Sequence, residues 1–383
     1  MCIRDRYGTW GSPIHNEHLT EYVEGRVERT LAESEVLDLA PLGFNWRHHI
    51  QDLDDDDHYA VEIEVGTRML RNAVQACGWE PNEIGGVLIG CSGPISHDFT
   101  VQIARAAGIP ESALKVSIHK ACDSSMSGLH LSLNPNLSAN RDAGMNIADE
   151  LHGKKVLVGG IEGLSRFIRW SQDTFAMQIF GNGAGVIGLI PGENMKFLVG
   201  HTHDVFDENG TLAVRMYYPH ARNENAAEAM EDVQEAGENH IRVAGFMHEP
   251  EGDVPLSMES PMGMVKLFVR SGVEFVKEAY SAYRDQVETP GQGEVQFATA
   301  VVHHANYKIN LLLKKNLIKH GIELPTPWVL SEFGNVSAAS NMIAFLRQLK
   351  DMKAGDHILL YGFGAGTYYD AIAVELNKLA PKI

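Results

Sequence analysis

Apolar and polar positions along the chain fall into blocks that read as short buried strands running into helices. Residues 115–118 form a β-type run that turns abruptly into a helical pattern, with Leu129, Leu131 and Leu133 carrying its apolar stretch. Ala298 to Val302 is a second run of buried-strand type, ended by His303, His304 and Asn306. In VLSEFGNVSAASNMIAFLRQL, apolar gives way to polar at Gly334–Asn335, and a helix is predicted to open at Ser337. FGNGAGVIGLI (180–190) and GFGAGTYYDAIAV (362–374) each join an apolar strand to a Gly-rich turn. The first reads as a tight hairpin turn: it lacks the Lys-Ser/Thr ending of a phosphate loop and lies between β-type runs. LDDDD (53–57) reads as a solvated loop before a helix from about His58 to Cys77.

These blocks repeat. IGGVLIGCSG leads to KVSIHKACDSSMSGL as VQFATAVVHHAN leads to VLSEFGNVSAASNMI, and the Cys91–Cys122 and His303–Asn335 separations differ by one residue. The pattern predicts two similar α/β halves, with Cys122 from one and His303 and Asn335 from the other meeting at their join. The expected divisions are 1–192, an interposed strand with an acidic excursion at 193–257, and 258–383.

Composition narrows the class. The 383 residues are 44% hydrophobic and 21% charged, with a net charge of −18. That balance suits a globular chain and argues against nucleic acid or an anionic membrane as partner. No apolar run approaches the ~18 residues of a membrane span. Four cysteines show neither disulfide density nor metal spacing, so a reducing cytoplasm is the expected compartment and no metal is expected. His201, His203 and Asp204 alternate as a strand would, without an evident further ligand. MCIRDR at 1–6 resembles translated adaptor sequence, and Cys2 is given no functional weight.

The chemistry centres on Cys122. Asp123, Ser124, Ser125 and Ser127 suit a helix start, where unpaired N–H groups and the helix dipole favour a thiolate. Taken singly, Cys122 also reads as an inert core thiol, His303 as a core histidine and Asn335 as a helix cap. At three strand ends of an α/β fold they form a constellation. His303 and His304 are neighbours on extended backbone, so their side chains point to opposite sides.

KACDSSMSGL, GLSRFIRWSQDTFAMQIFGNGAG, MGMVKLF, HHAN, GNVSAAS and GDHILLYGFGAG, in that order, resemble the condensing enzymes of the thiolase superfamily, most closely β-ketoacyl-[acyl carrier protein] synthase III. The resemblance implies a five-layer αβαβα sandwich of two α/β halves. It implies a catalytic Cys122, His303 and Asn335, with an oxyanion hole from the backbone N–H groups of Cys122 and Ala365. His304 would then be structural. The implied reaction is a decarboxylative Claisen condensation of a Cys-bound acyl group with a malonyl thioester. Alternatives on the same fold are non-decarboxylating acyl–acyl condensation and ester- or amide-forming acyl transfer.

No bound cofactor is implied; acyl-CoA or acyl carrier protein thioesters are the substrates. Lys308, Lys315 and Lys319, on a helix after the histidines, and Arg166 and Arg169 are the expected carrier or coenzyme A contacts. A homodimer is implied, with a loop near Cys91–Phe99 reaching the partner's pocket. Two departures stand out. Asn182 replaces the family's usual Asp. Leu37 and Pro41 stand where an aromatic–guanidinium clamp for adenine belongs, with Trp46 and Arg47 nearby. A medium or long acyl donor, or a carrier-bound one, is therefore expected over acetyl-CoA.

Overall fold

The computed structural model describes residues 6–50, 53–92, 96, 98–137, 139–140, 143–170, 173–204, 231–245, 261–287, 296–364 and 368–377. In chain order the strands are β1 (Tyr7–Gly8), β2 (Ser12–His15), β3 (Trp46–His49), β4 (Ile84–Gly90), β5 (Leu114–His119), β6 (Lys155–Glu162), β7 (Gly183–Leu189), β8 (Met195–Asp204), β9 (Glu231–Gly237), β10 (His240–Gly245), β11 (Thr299–Val302), β12 (His357–Gly364) and β13 (Tyr368–Leu376). The helices used below are α1 (Asn16–Val27), α2 (Asp55–Ala76), α3 (Phe99–Ala106), α4 (Ser124–Leu133), α5 (Ile147–Leu151), α6 (Leu164–Trp170), α7 (Thr174–Ile179), α8 (Pro261–Val287), α9 (Tyr307–Lys319) and α10 (Ser340–Gln348).

Two sheets carry the fold. The first has the order β1-β7-β6-β4-β5-β10-β9 and the second β11-β12-β13-β8. Four strands of each correspond. β1/β7 and β7/β6 are antiparallel and β6/β4 parallel; β8/β13 and β13/β12 are antiparallel and β12/β11 parallel. β8 thus holds in the second sheet the place of β1 in the first, although it lies in the interposed stretch 193–257. The β9–β10 hairpin from that stretch extends the first sheet, pairing parallel to β5.

β4 and β6 are near-continuous apolar runs because both their faces are covered. α2 and α3 cover the outer face of the first sheet, and α8 and α9 that of the second. α4 and α10 lie between the sheets. Every residue of α4 is buried, so small residues are needed where it meets strands; a Cβ on Gly128 would stand 2.9 Å from Ile118 Cδ1. One apolar cluster runs from Leu88 and Val158 through Met126 and Met342 to Leu360 and Ile372. Its large aliphatic side chains are each worth roughly 1.5–3 kcal/mol on burial. The architecture is the α-β-α-β-α thiolase-like sandwich.

Three local expectations are corrected. The acidic run at 53–57 enters α2, with Asp54 as N-cap accepting from the Asp57 N–H at 2.8 Å; acids favour the positive helix end. FGNGAG is not a hairpin turn. Gly183–Leu189 already belongs to β7, and Gly181 and Asn182 cross from α7 into it, donating their N–H groups to Asn335 and His48 carbonyls. VLSEF forms no ladder strand. Its backbone is engaged otherwise: Val329 N–H donates to His304 Nε2 and the Ser331 carbonyl accepts from Asn45 N–H. Residues 1–5, residues 205–230 and 246–257 of the interposed stretch, and parts of the Cys91–Phe99 loop fall outside the described residues.

Candidate active site

Cys122 sits in a single 3-10 turn, Ala121–Asp123, between β5 and α4. The turn forces Ala121 to φ 48°, an uncommon conformation for a residue with a Cβ. The second half repeats this geometry. Ser337 has φ 43° and opens the turn Ser337–Ala339 before α10. What the two halves repeat is a strained turn that opens a buried helix, and the two helices so opened are the middle layer.

The turns meet each other. Ser337 Oγ donates to Cys122 Sγ at 3.2 Å, while Ser337 N–H donates to Asn335 Oδ1 at 2.9 Å. Cys122 and Asn335 are thus linked through one serine that the sequence reading left without a role. Asn335 is fixed further by its N–H to the Ile179 carbonyl, 2.8 Å, and its carbonyl to Gly181 N–H, 3.1 Å. Gly181 needs no side chain there, because a Cβ would lie 2.4 Å from the Phe333 carbonyl oxygen. Asn182 uses both ends of its amide. Oδ1 accepts from Ser165 N–H and Oγ–H, and Nδ2 donates to the Trp10 carbonyl.

His303 ends β11 and is fully buried, its ring edge-on to Phe363 with centroids 5.1 Å apart. The next residue, Gly364, presses on the Cys122 turn; a Cβ there would stand 3.1 Å from Cys122 N. Neighbouring residues at the end of β12 therefore contact His303 and the Cys122 turn. Among the described residues neither ring nitrogen of His303 has a hydrogen-bond partner, and desolvation, with His304 adding to it, holds its pKa down at about 3. It is a neutral imidazole at physiological pH. His304 is fully engaged: Nδ1 lies 2.7 Å from the Val302 carbonyl, Nε2 accepts from Val329 N–H at 3.1 Å, and the ring lies on Trp328. The first contact places the proton on Nδ1. Ala365 lies outside the described residues.

A buried carboxylate that the sequence reading did not single out completes the cluster. Glu162 ends β6 and accepts from Ser92 Oγ–H at 2.5 Å and from Ala338 N–H at 3.1 Å. Ser92 also hydrogen-bonds Ser337 Oγ. Burial pushes the Glu162 carboxyl up to about 8 despite those donors, with Glu62 adding repulsion. The available signal was an acid closing an otherwise apolar strand, KVLVGGIE.

The basic residues divide. Lys308 and Lys315 are exposed on α9, as is Lys319. Arg166, read as facing a phosphate, is buried, with Nε 3.6 Å from Glu62; a guanidinium so placed neutralises an internal carboxylate. The side chain of Arg169 is outside the described residues. Arg47 is also internal and donates to Asn16 Oδ1 at 2.8 Å, and Trp46 lies against His15. His201 and His203 lie on β8; among the described residues there is no group of three metal-ligating side chains.

The model for the 3-oxoacyl-[acyl-carrier-protein] synthase III C-terminal region matches residues 292–376, from just before β11 to the end of β13. The β-ketoacyl-[acyl-carrier-protein] synthase III of Brucella anthropi is 26% identical over 319 residues, covering 82% of this chain and 84% of that protein. The chain is related to the β-ketoacyl synthase III condensing enzymes. A β-ketodecanoyl-[acyl-carrier-protein] synthase of Pseudomonas aeruginosa is 30% identical over 118 residues, 30% of this chain and 33% of its own length. The solved synthase III of Pseudomonas aeruginosa PAO1 superposes with a TM-score of 0.64 at 17% identity, covering 98% of this chain and 97% of that one.

Proposed function

We propose that the chain is an acyltransferase that forms a β-ketoacyl thioester from a Cys122-bound acyl group and a malonyl thioester, in fatty acid or polyketide-type biosynthesis. The observation that carries the reading is the link from Cys122 through Ser337 to Asn335, with the end of β12 contacting both the Cys122 turn and the His303 ring.

Each residue has work in that reaction. The Cys122 thiolate attacks the acyl thioester carbonyl and the donor's thiolate leaves, taking its proton from solvent, so the acyl group ends on Sγ. The developing oxyanion meets the N–H of Cys122 and that of Ala365. Loss of carbon dioxide from the malonyl group leaves an enolate. A neutral His303 and the Asn335 amide donate N–H to it, whereas a carboxylate at 335 would repel it. The carbanion attacks the acyl carbonyl and Cys122 departs. With both His303 nitrogens unengaged among the described residues, a donor is available without breaking another bond.

The donor is a medium or longer acyl chain, or a carrier-bound one. Leu37 packs into the α1 cluster and Arg47 is internal, so neither supplies a clamp for adenine. The partial match to a β-ketodecanoyl synthase supports the same choice. Exposed Lys308, Lys315 and Lys319 on an otherwise acidic chain suit an acidic carrier protein. A homodimer in the cytoplasm is part of this reading. Among the described residues no helix is long and apolar enough to cross a membrane.

The test is to incubate the protein with acetyl and octanoyl donors, map the acyl mass by peptide, and then add malonyl thioester and measure carbon dioxide. Acyl on the Cys122 peptide, release of carbon dioxide, and a higher kcat/KM for octanoyl are expected. Label on Cys77 or Cys91 sinks the site. Condensation without carbon dioxide sinks the decarboxylating step, and an acetyl preference sinks the donor.

A further inference from the structure

The reaction above requires that Cys122 lose a proton inside the protein, and His303 is a poor place to put it. Its ring is fully buried against Phe363 and its protonated form is strongly disfavoured. A different acceptor is connected to the sulfur. Ser337 Oγ lies 3.2 Å from Cys122 Sγ, Ser337 and Ser92 share a short hydroxyl contact, and Ser92 Oγ lies 2.5 Å from Glu162 Oε1. All four residues are buried, and they come from four separate places: the turn before α4, the turn before α10, the end of β4 and the end of β6.

We propose that Cys122 and Glu162 share one proton through the hydroxyls of Ser337 and Ser92, so that the thiol ionises into Glu162 rather than into water. In one direction Sγ–H breaks as a new O–H forms on Ser337. The old Ser337 O–H passes to Ser92, and the old Ser92 O–H passes to the Glu162 carboxylate. Thiol plus carboxylate becomes thiolate plus neutral acid, with no change in net charge. The sulfur then carries the acyl group while Glu162 keeps the proton, and the proton returns when the product leaves Cys122. Glu162 touches no reacting atom and acts only through the two serines.

Three observations support this. Ser337 is held at φ 43°, an uncommon conformation for a residue with a Cβ, with its Oγ on the sulfur. Glu162 is buried enough to favour its neutral acid at pH 7, the form it holds beside acylated Cys122. Its surroundings are otherwise settled. Ala338 N–H donates to Oε1, and Glu62 from α2 faces Arg166 of α6. Cys91, next to Ser92, is 3.2 Å from His119 Nδ1.

The inference rests on the acyl-Cys122 reading, but its test uses no acyl donor. Alkylation of Cys122 by iodoacetamide is followed by mass spectrometry across about pH 5.5–9.5. A shared proton gives a plateau of pH-independent reaction around neutrality, because thiolate and carboxylate exchange internally there. Glu162→Gln should replace the plateau by one rise with pH. An ordinary thiol is only about 1% ionised at pH 6.5, so the variant should react about tenfold or more slowly there. Ser92→Ala keeps both ionisable groups and cuts the link; it should lose the plateau as well. A wild-type profile in either variant, or faster alkylation in Glu162→Gln, overturns the proposal. Circular dichroism checks folding, and if Glu162→Gln does not fold, Ser92→Ala decides. Intact profiles with no acyl adduct on Cys122 would instead sink the acyl-transfer reading and leave the shared proton standing.

Discussion

His303 and His304 show how adjacent identical residues acquire opposite duties. His304 spends both nitrogens on backbone and lies on Trp328, whereas His303 has neither nitrogen spent among the described residues. His303→Ala should therefore abolish malonyl decarboxylation, with a loss of about 10²–10³ for one oxyanion donor, while acyl transfer to Cys122 persists. His304→Ala should instead lower stability by ~2–4 kcal/mol, since it opens a cavity and strands the Val329 N–H. Partial-reaction assays beside urea melts separate the two; a larger decarboxylation loss in His304→Ala would reverse the assignment. The doublet was legible because alternation on extended backbone is a sequence property. Ser92, Ser337 and Glu162 were not, because a serine or glutamate becomes chemically distinctive only when burial places it beside a particular neighbour.

At the scale of elements, the repeat of a turn that opens a buried helix was legible, since apolar runs ending in polar clusters mark it twice. What the pattern could not show was how closely the pieces approach. Gly160 of β6 lies under the turn before α10, where a Cβ would stand 2.3 Å from the Ala338 carbonyl oxygen and 2.6 Å from Ala339 N. Those are backbone atoms, so the strand and turn must separate. Gly160→Ala is expected to destabilise by ~1–3 kcal/mol or more and to slow Cys122 alkylation as Ser337 moves. An alanine variant with unchanged melting and unchanged alkylation would mean the turn is not held as described. The misread elements have a common cause. The acidic run of α2 and the missing VLSEF strand were judged by composition, while helix-end electrostatics and side-chain competition for backbone groups decided them.

The whole molecule encloses ionisable groups of both signs between its layers, and its stability should fall toward both acid and alkali. His49, His303 and His304 have folded pKa values of about 3, 3 and 4, below the ordinary histidine value near 6.5. The unfolded chain takes up protons first as pH falls below 6.5, so stability that is complete above that pH drains away toward pH 3. Glu62, buried beside Arg166, is raised to about 7. There the folded state binds more protons, so its contribution is present below about 4.5 and is lost as pH rises toward 7. Glu62→Gln removes this alkaline penalty without removing a side chain from the interior. Its melting temperature relative to wild type should therefore climb from pH 5 to about pH 7 and then level off, whatever the sign of the difference at pH 5. The two proteins are melted by calorimetry in matched buffers from about pH 5 to pH 8.5. A gap that stays constant with pH would mean that Glu62 titrates alike in the folded and unfolded chain, and that the layers do not hold it as a neutral acid.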